Sequence, residues 1–138
     1  MHAWLEHLTG GKDEAAICAL LNLPEALAET LAATARRMLA HPELGPAFDP
    51  ARYLVAHNEL EFLDEEGRAA RMDRLVEFEQ EIWVLDYKSG GLDEPDVCRR
   101  SAPHQAQMDR YRHAAQALFP RKPVRTALVF ADGMVHWD

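Results

Sequence analysis

The sequence predicts an α/β protein, with a mixed central sheet of about five strands flanked by helices and an N-terminal helical cap. Three observations carry this. Residues 1–41 show apolar residues at helical spacing, and residues 53–88 hold three stretches of strand character. A long helical stretch ending at Phe119 then separates these from two further strands.

Residues 2–9, HAWLEHLT, read as a helix that has lost its beginning, with His2, Leu5 and Leu8 on one side. Gly10-Gly11 breaks the chain. Lys12 to Leu21 and Pro24 to Ala40 read as two helices, whose apolar positions include Leu20, Leu27, Leu31, Met38 and Leu39. Pro24 stands where a helix begins, and His41-Pro42 ends it. Pro42 to Pro50 reads as a loop. This region offers no chemistry and reads as a cap over one side of the sheet.

Tyr53 to Leu63 reads as the first strand, with Asn58, Leu60 and Phe62 on one side and Glu59 and Glu61 on the other. His57 has no partner at metal-ligand spacing and reads as structural. The turn Asp64-Glu65-Glu66-Gly67 leads into a hairpin of Arg71 to Phe78 and Ile82 to Lys88. Ser89-Gly90-Gly91 ends it, and Leu92 to Arg100 is a polar loop of the kind that borders active sites. Ser101 can cap the next helix, with Pro103 in its first turn. That helix carries His104, Met108, Tyr111, Ala115 and Leu118 along one stripe. Val124 to Phe130 is an apolar strand, Asp132-Gly133 a turn, and Met134 to Trp137 an edge strand.

The 138 residues read as one domain, with 1–41 as the cap and 52–138 as the sheet and its long helix. No apolar run approaches the length of a membrane span, and the N-terminus lacks the basic-then-apolar pattern of a secretory signal. Cys18 and Cys98 read as two free thiols of a cytoplasmic protein. The net charge is −8, but unevenly placed. Residues 1–96 hold 8 Lys/Arg against 20 Asp/Glu, and residues 97–138 hold 7 against 3. The basic third (Arg99, Arg100, Arg110, Arg112, Arg121, Lys122, Arg125) could follow a nucleic-acid backbone or be an ordinary solvated face.

The central hairpin carries the chemistry. A two-residue loop at Glu79-Gln80 sets Phe78 against Glu81, Asp73 against Asp86 and Arg71 against Lys88. Opposed residues have Cβ atoms about 5 Å apart, and like charges there are destabilising. Asp86 and Lys88, two apart, share a face. Two facing carboxylates beside a lysine are usually explained by a divalent cation. The alternatives are a solvated face neutralised by Lys88, or a three-residue loop that separates the pair.

The strings D-R-L (Asp73 to Leu75) and L-D-Y-K-S (Leu85 to Ser89) resemble the core of the PD-(D/E)XK nucleases. Among these they are most similar to the RecB-like domains at the C-terminus of UvrD/Rep-type helicases, such as the exonuclease V beta subunit and AddA. Two further motifs occur in the family's order. H-A-W-L-E (His2 to Glu6) matches its histidine motif from the histidine onward, without the preceding glycine. Q-M-D-R-Y (Gln107 to Tyr111) matches its Q-hydrophobic-x-x-Y motif, and N-E-L-E-F resembles the strand before the hairpin, whose Glu59 or Glu61 could touch a metal site or simply be exposed.

The resemblance implies a restriction-endonuclease-like core and a Mg²⁺- or Mn²⁺-dependent deoxyribonuclease that works in double-strand-break processing and recombinational repair. It implies catalytic Asp73, Asp86 and Lys88, and metal ligands His2, Asp73, Asp86 and the backbone carbonyl of Tyr87. Gln107 and Tyr111 then lie near metal and DNA, with Arg110 beside them to position phosphate. The implied partners are DNA, taken as single strands, the helicase domains of a larger chain, and a partner subunit. The competing expectation is a nuclease-fold module that no longer cuts and serves to hold DNA or dock a subunit.

Overall fold

Val55–Leu63 (β1), Ala69–Glu77 (β2), Ile82–Lys88 (β3), Val124–Phe130 (β4) and Val135–Trp137 (β5) form one sheet in sequence order, in a computed structural model that describes residues 1–138. All neighbours are antiparallel except β3 and β4, which run parallel. Parallel neighbours need a long crossover, and the chain supplies it as Val97–Ser101 (α5) and Gln105–Leu118 (α6). This is the α/β architecture with helices on both faces, as expected.

His2–Thr9 (α1), Glu14–Leu21 (α2) and Glu25–Leu39 (α3) cover one face of the sheet. Asp13 starts α2 by accepting from Ala16 N, and Asn22 ends it in the left-handed conformation. The stretch expected as a loop holds a 3₁₀ turn, Pro42–Leu44, and a short helix, Gly45–Phe48 (α4). The polar loop likewise contains α5, capped by Asp96. Ser101 caps nothing: it is buried, and its hydroxyl donates to Val97 O.

Two cores lie back to back. Trp4, Leu5, Ile17, Ala35 and Met38 pack on Trp83, Leu85, Tyr87 and Val129 on the cap side. Met108, Tyr111 and Ala115 of α6 pack on Leu75, Ile82, Val84 and Phe130 on the other. Residues 82–87 of β3 are all buried, as a strand covered on both faces must be.

The hairpin register is the one expected. Phe78 N donates to Glu81 O, and the ladder runs from Glu77↔Ile82 to Arg74↔Leu85. There it stops, one step short of Asp73 and Asp86.

The face assignment in β1 is corrected. Asn58 faces the cap, donating to Glu6 O and accepting from Arg74, whereas Leu60 and Phe62 pack on the α6 side. The switch falls at Glu59, whose φ of +53° is unusual for a side-chain-bearing residue. β2 changes with it: Arg74 and Val76 face the cap, while Met72 joins Leu75 on the α6 side. The pairing sum is unchanged from Asn58↔Arg74 to Leu60↔Met72, so both strands turn together at Glu59 and Asp73.

Candidate active site

The site is the fork where β2 leaves β3. Beyond Leu85, the Tyr87 N–H and C=O have no ladder partner on β2. Side chains take them instead: Tyr87 N donates to Asp73 Oδ2 at 2.7 Å, and His2 Nε2 lies 2.8 Å from Tyr87 O. His2 Nε2 is also 3.2 Å from Asp73 Oδ2. A carbonyl only accepts, so this nitrogen carries hydrogen. The bond to Asp73 holds the imidazole pKa above its ordinary value, against partial burial. The end of α1 is firm because Trp4 and Leu5, just after His2, are fully buried.

Asp86 points to the α6 side beside Lys88, as the alternation of β3 requires. Burial, reinforced by the nearby Asp73 charge, raises its carboxyl to about 6, although Lys88 opposes this. Lys88 Nζ stands 2.7 Å from Asp86 Oδ2, an oxygen that nevertheless has no aligned hydrogen-bond donor. The lysine donates to Gln107 Oε1 at 2.8 Å. Gln107 Nε2 donates to the Tyr111 hydroxyl, and that hydroxyl donates to Arg71 O, each at 2.8 Å. The two α6 residues one turn apart thus tie the lysine back to β2. These residues line a cleft of about 440 Å³ together with Ala69 to Arg71 and Arg110.

Seven of the eight expected site residues line one cleft: His2, Asp73, Asp86, Lys88, Gln107, Tyr111 and Arg110; Tyr87 meets it only through its backbone, its side chain packing on the cap side. Arg110 is held aside, with Nη2 at 3.2 Å from Asp64 Oδ2. The basic third does not form a phosphate track. Arg100 is buried on Asp132 and Glu94 O, and Arg112 reaches Asp138 and Thr126. Lys122 is spent on Glu77 and Phe78 O, and Arg125 stacks over Trp137. Arg99 and Arg121 alone are exposed without such a partner. Charge counting could not see these internal pairings.

Of two further residues near the fork, the sequence reading missed Arg74 and left Glu59 either at the metal site or simply exposed. Arg74, 2 % exposed, donates twice to Ala47 O and once to Asn58 Oδ1, with the rings of Phe48 and Tyr53 against its guanidinium. It fastens α4 to β2 beside Asp73. Glu59 stands across from Asp73, with Arg71 Nε at 2.6 Å, and burial raises its carboxyl pKa. The acidic, alternating run around Glu59 offered no mark of its special backbone.

No group of three or more His, Cys, Asp or Glu side chains is placed to hold a metal ion. The donor set still fits a hard divalent cation. Two carboxylates, one with a buried unpartnered oxygen, a peptide carbonyl and an imidazole converge on the fork.

No helix is long and apolar enough to cross a membrane, and both cysteines are free. No curated protein matches the chain. The family model of the PD-(D/E)XK nuclease superfamily matches residues 1–137, nearly the whole chain. With its mixed sheet, flanking helices and a carboxylate–lysine fork at the end of the central hairpin, this chain belongs to the PD-(D/E)XK nuclease superfamily.

Proposed function

We propose that this protein is a metal-dependent deoxyribonuclease domain that hydrolyses phosphodiester bonds. The observation that carries the reading is the convergence of His2, Asp73, Asp86 and Tyr87 O at the fork, with Lys88 alongside. Those four groups would hold Mg²⁺ or Mn²⁺. The cation supplies Lewis-acid charge at the phosphoryl oxygen and makes water acidic near neutral pH. Lys88, fixed through Gln107 and Tyr111, orients the attacking water and stabilises the charge that develops on the phosphate. His2 must surrender the hydrogen it now presents to Tyr87 O before it can ligate.

Within the superfamily the ordered His, D-R-L, L-D-Y-K and Q-x-x-x-Y motifs favour the RecB/AddA type. The chain then acts as the nuclease domain of a cytoplasmic helicase–nuclease in double-strand-break processing, fed single strands by its motor and assembled with a partner subunit. A net charge of −8 and the internal pairing of the basic third fit a strand delivered by a motor. The same two facts favour a second reading, a module that docks without cutting.

The deciding experiment is cleavage of labelled single-stranded DNA at low salt and high protein concentration with Mn²⁺ or Mg²⁺. The nuclease reading expects slow, metal-dependent cleavage that Asp73→Ala, Asp86→Ala and Lys88→Ala each abolish. No cleavage by folded, metal-bound protein would favour the non-cutting module instead.

A further inference from the structure

We propose that the groove between the β1–β2 hairpin and α6 docks a segment of a partner protein that is apolar along one side and basic along its edges. This surface shares only Arg110 with the cleft at the fork and does not depend on the nuclease reading. The groove measures about 610 Å³, room for several aliphatic side chains. Its apolar lining is Leu60, Phe62, Leu63, Ala114, Ala117 and Leu118. Leu63 is 70 % exposed and Leu118 57 % exposed, one on each wall. Leucines exposed to that degree on both walls of one concavity gain by being covered.

The rim decides what covers them. It carries Glu61, Asp64, Glu65 and Glu66 against Arg68, Arg110 and His113. Both arginines are spent on the rim's own carboxylates: Arg68 on Asp64 and Glu66, and Arg110 on Asp64. Glu61 and Glu65 remain exposed, with no ion-pair partner. A negative rim around an apolar floor repels nucleic acid and selects a cationic amphipathic segment. A second copy is disfavoured by the same charge, because a two-fold contact would set this acidic rim against itself.

The test uses the full chain and two labelled amphipathic peptides, one built of leucine and lysine and one of leucine and glutamate. Fluorescence anisotropy should show saturable one-to-one binding of the leucine–lysine peptide only. Leu63→Ser/Leu118→Ser and Glu61→Lys/Glu65→Lys should each weaken it by about tenfold or more. All four side chains are exposed, so melting temperatures near the parent's will show that both variants fold. Unchanged binding in these variants overturns the proposal, as does equal binding of the leucine–glutamate peptide. Displacement of the lysine peptide by single-stranded DNA also overturns it. A concentration-dependent dimer in sedimentation, abolished by Leu63→Ser/Leu118→Ser, would assign the groove to a second copy and overturn it too.

Discussion

Replacing Asp86 by Asn should stabilise the metal-free protein, and the amount follows from the fork. Burial and the Asp73 charge lift the Asp86 carboxyl from an ordinary 3.8 to about 6 in the folded chain. A group with a higher pKa folded than unfolded binds more protons when folded. Its contribution is therefore complete below 3.8 and lost as pH rises to about 6. At about 1.4 kcal/mol per pH unit, the loss amounts to about 3 kcal/mol above pH 6. Asn keeps the shape and removes the charge. In a chain of this size that should raise the melting temperature by on the order of 10 °C. The assay is calorimetry in EDTA from pH 4 to 8, with and without Mn²⁺. Parent and Asp86→Asn should melt alike near pH 4, and the gap should open by pH 6 and persist to pH 8. Millimolar Mn²⁺ should stabilise the parent and leave the variant unmoved. If Asp86→Asn is instead the less stable protein at pH 8 in EDTA, the 2.7 Å contact with Lys88 outweighs desolvation. The account of a fork strained until a cation fills it then fails.

Three more outcomes follow from neighbouring contacts. His2 has a raised pKa, so wherever its ring is cationic metal binding must expel a proton. Mn²⁺ affinity should rise as pH climbs through and past the ordinary imidazole value of 6.5, and calorimetric heats should vary with buffer ionisation enthalpy; a flat pH profile would remove His2 from the ligand set. Lys88→Met should lower cleavage by about 100- to 1000-fold while the Mn²⁺-induced melting shift survives; loss of that shift would make Lys88 a structural group. Arg74→Leu orphans the Ala47 carbonyl and the Asn58 side chain, and should cost about 2–4 kcal/mol in urea unfolding. A near-neutral result would mean that water or a shifted α4 satisfies those groups.

Much of this protein was determined locally. Alternation in Arg74 to Phe78 and the two-residue loop after it set the hairpin register. That register alone brings Asp73 and Asp86 to the same level. Spacing on α6 places Gln107 and Tyr111 one turn apart, whatever they touch. Side-chain periods are properties of the chain, so motifs built on them can be read without coordinates.

Tertiary structure decided the rest. Whether Asp73 faces Asp86 as a ladder pair or across a fork depends on where β2 parts from β3, which His2 arriving from α1 helps to settle. The face switch at Glu59 cannot be read from N-E-L-E-F, because strand alternation continues until a left-handed residue reverses it. Charge misled most. Arg100, Arg112 and Lys122 form a basic third on paper, yet each is paired with a carboxylate from elsewhere in the chain. Sequence determines how many charges a segment holds; only packing determines which of them remain free to meet a phosphate.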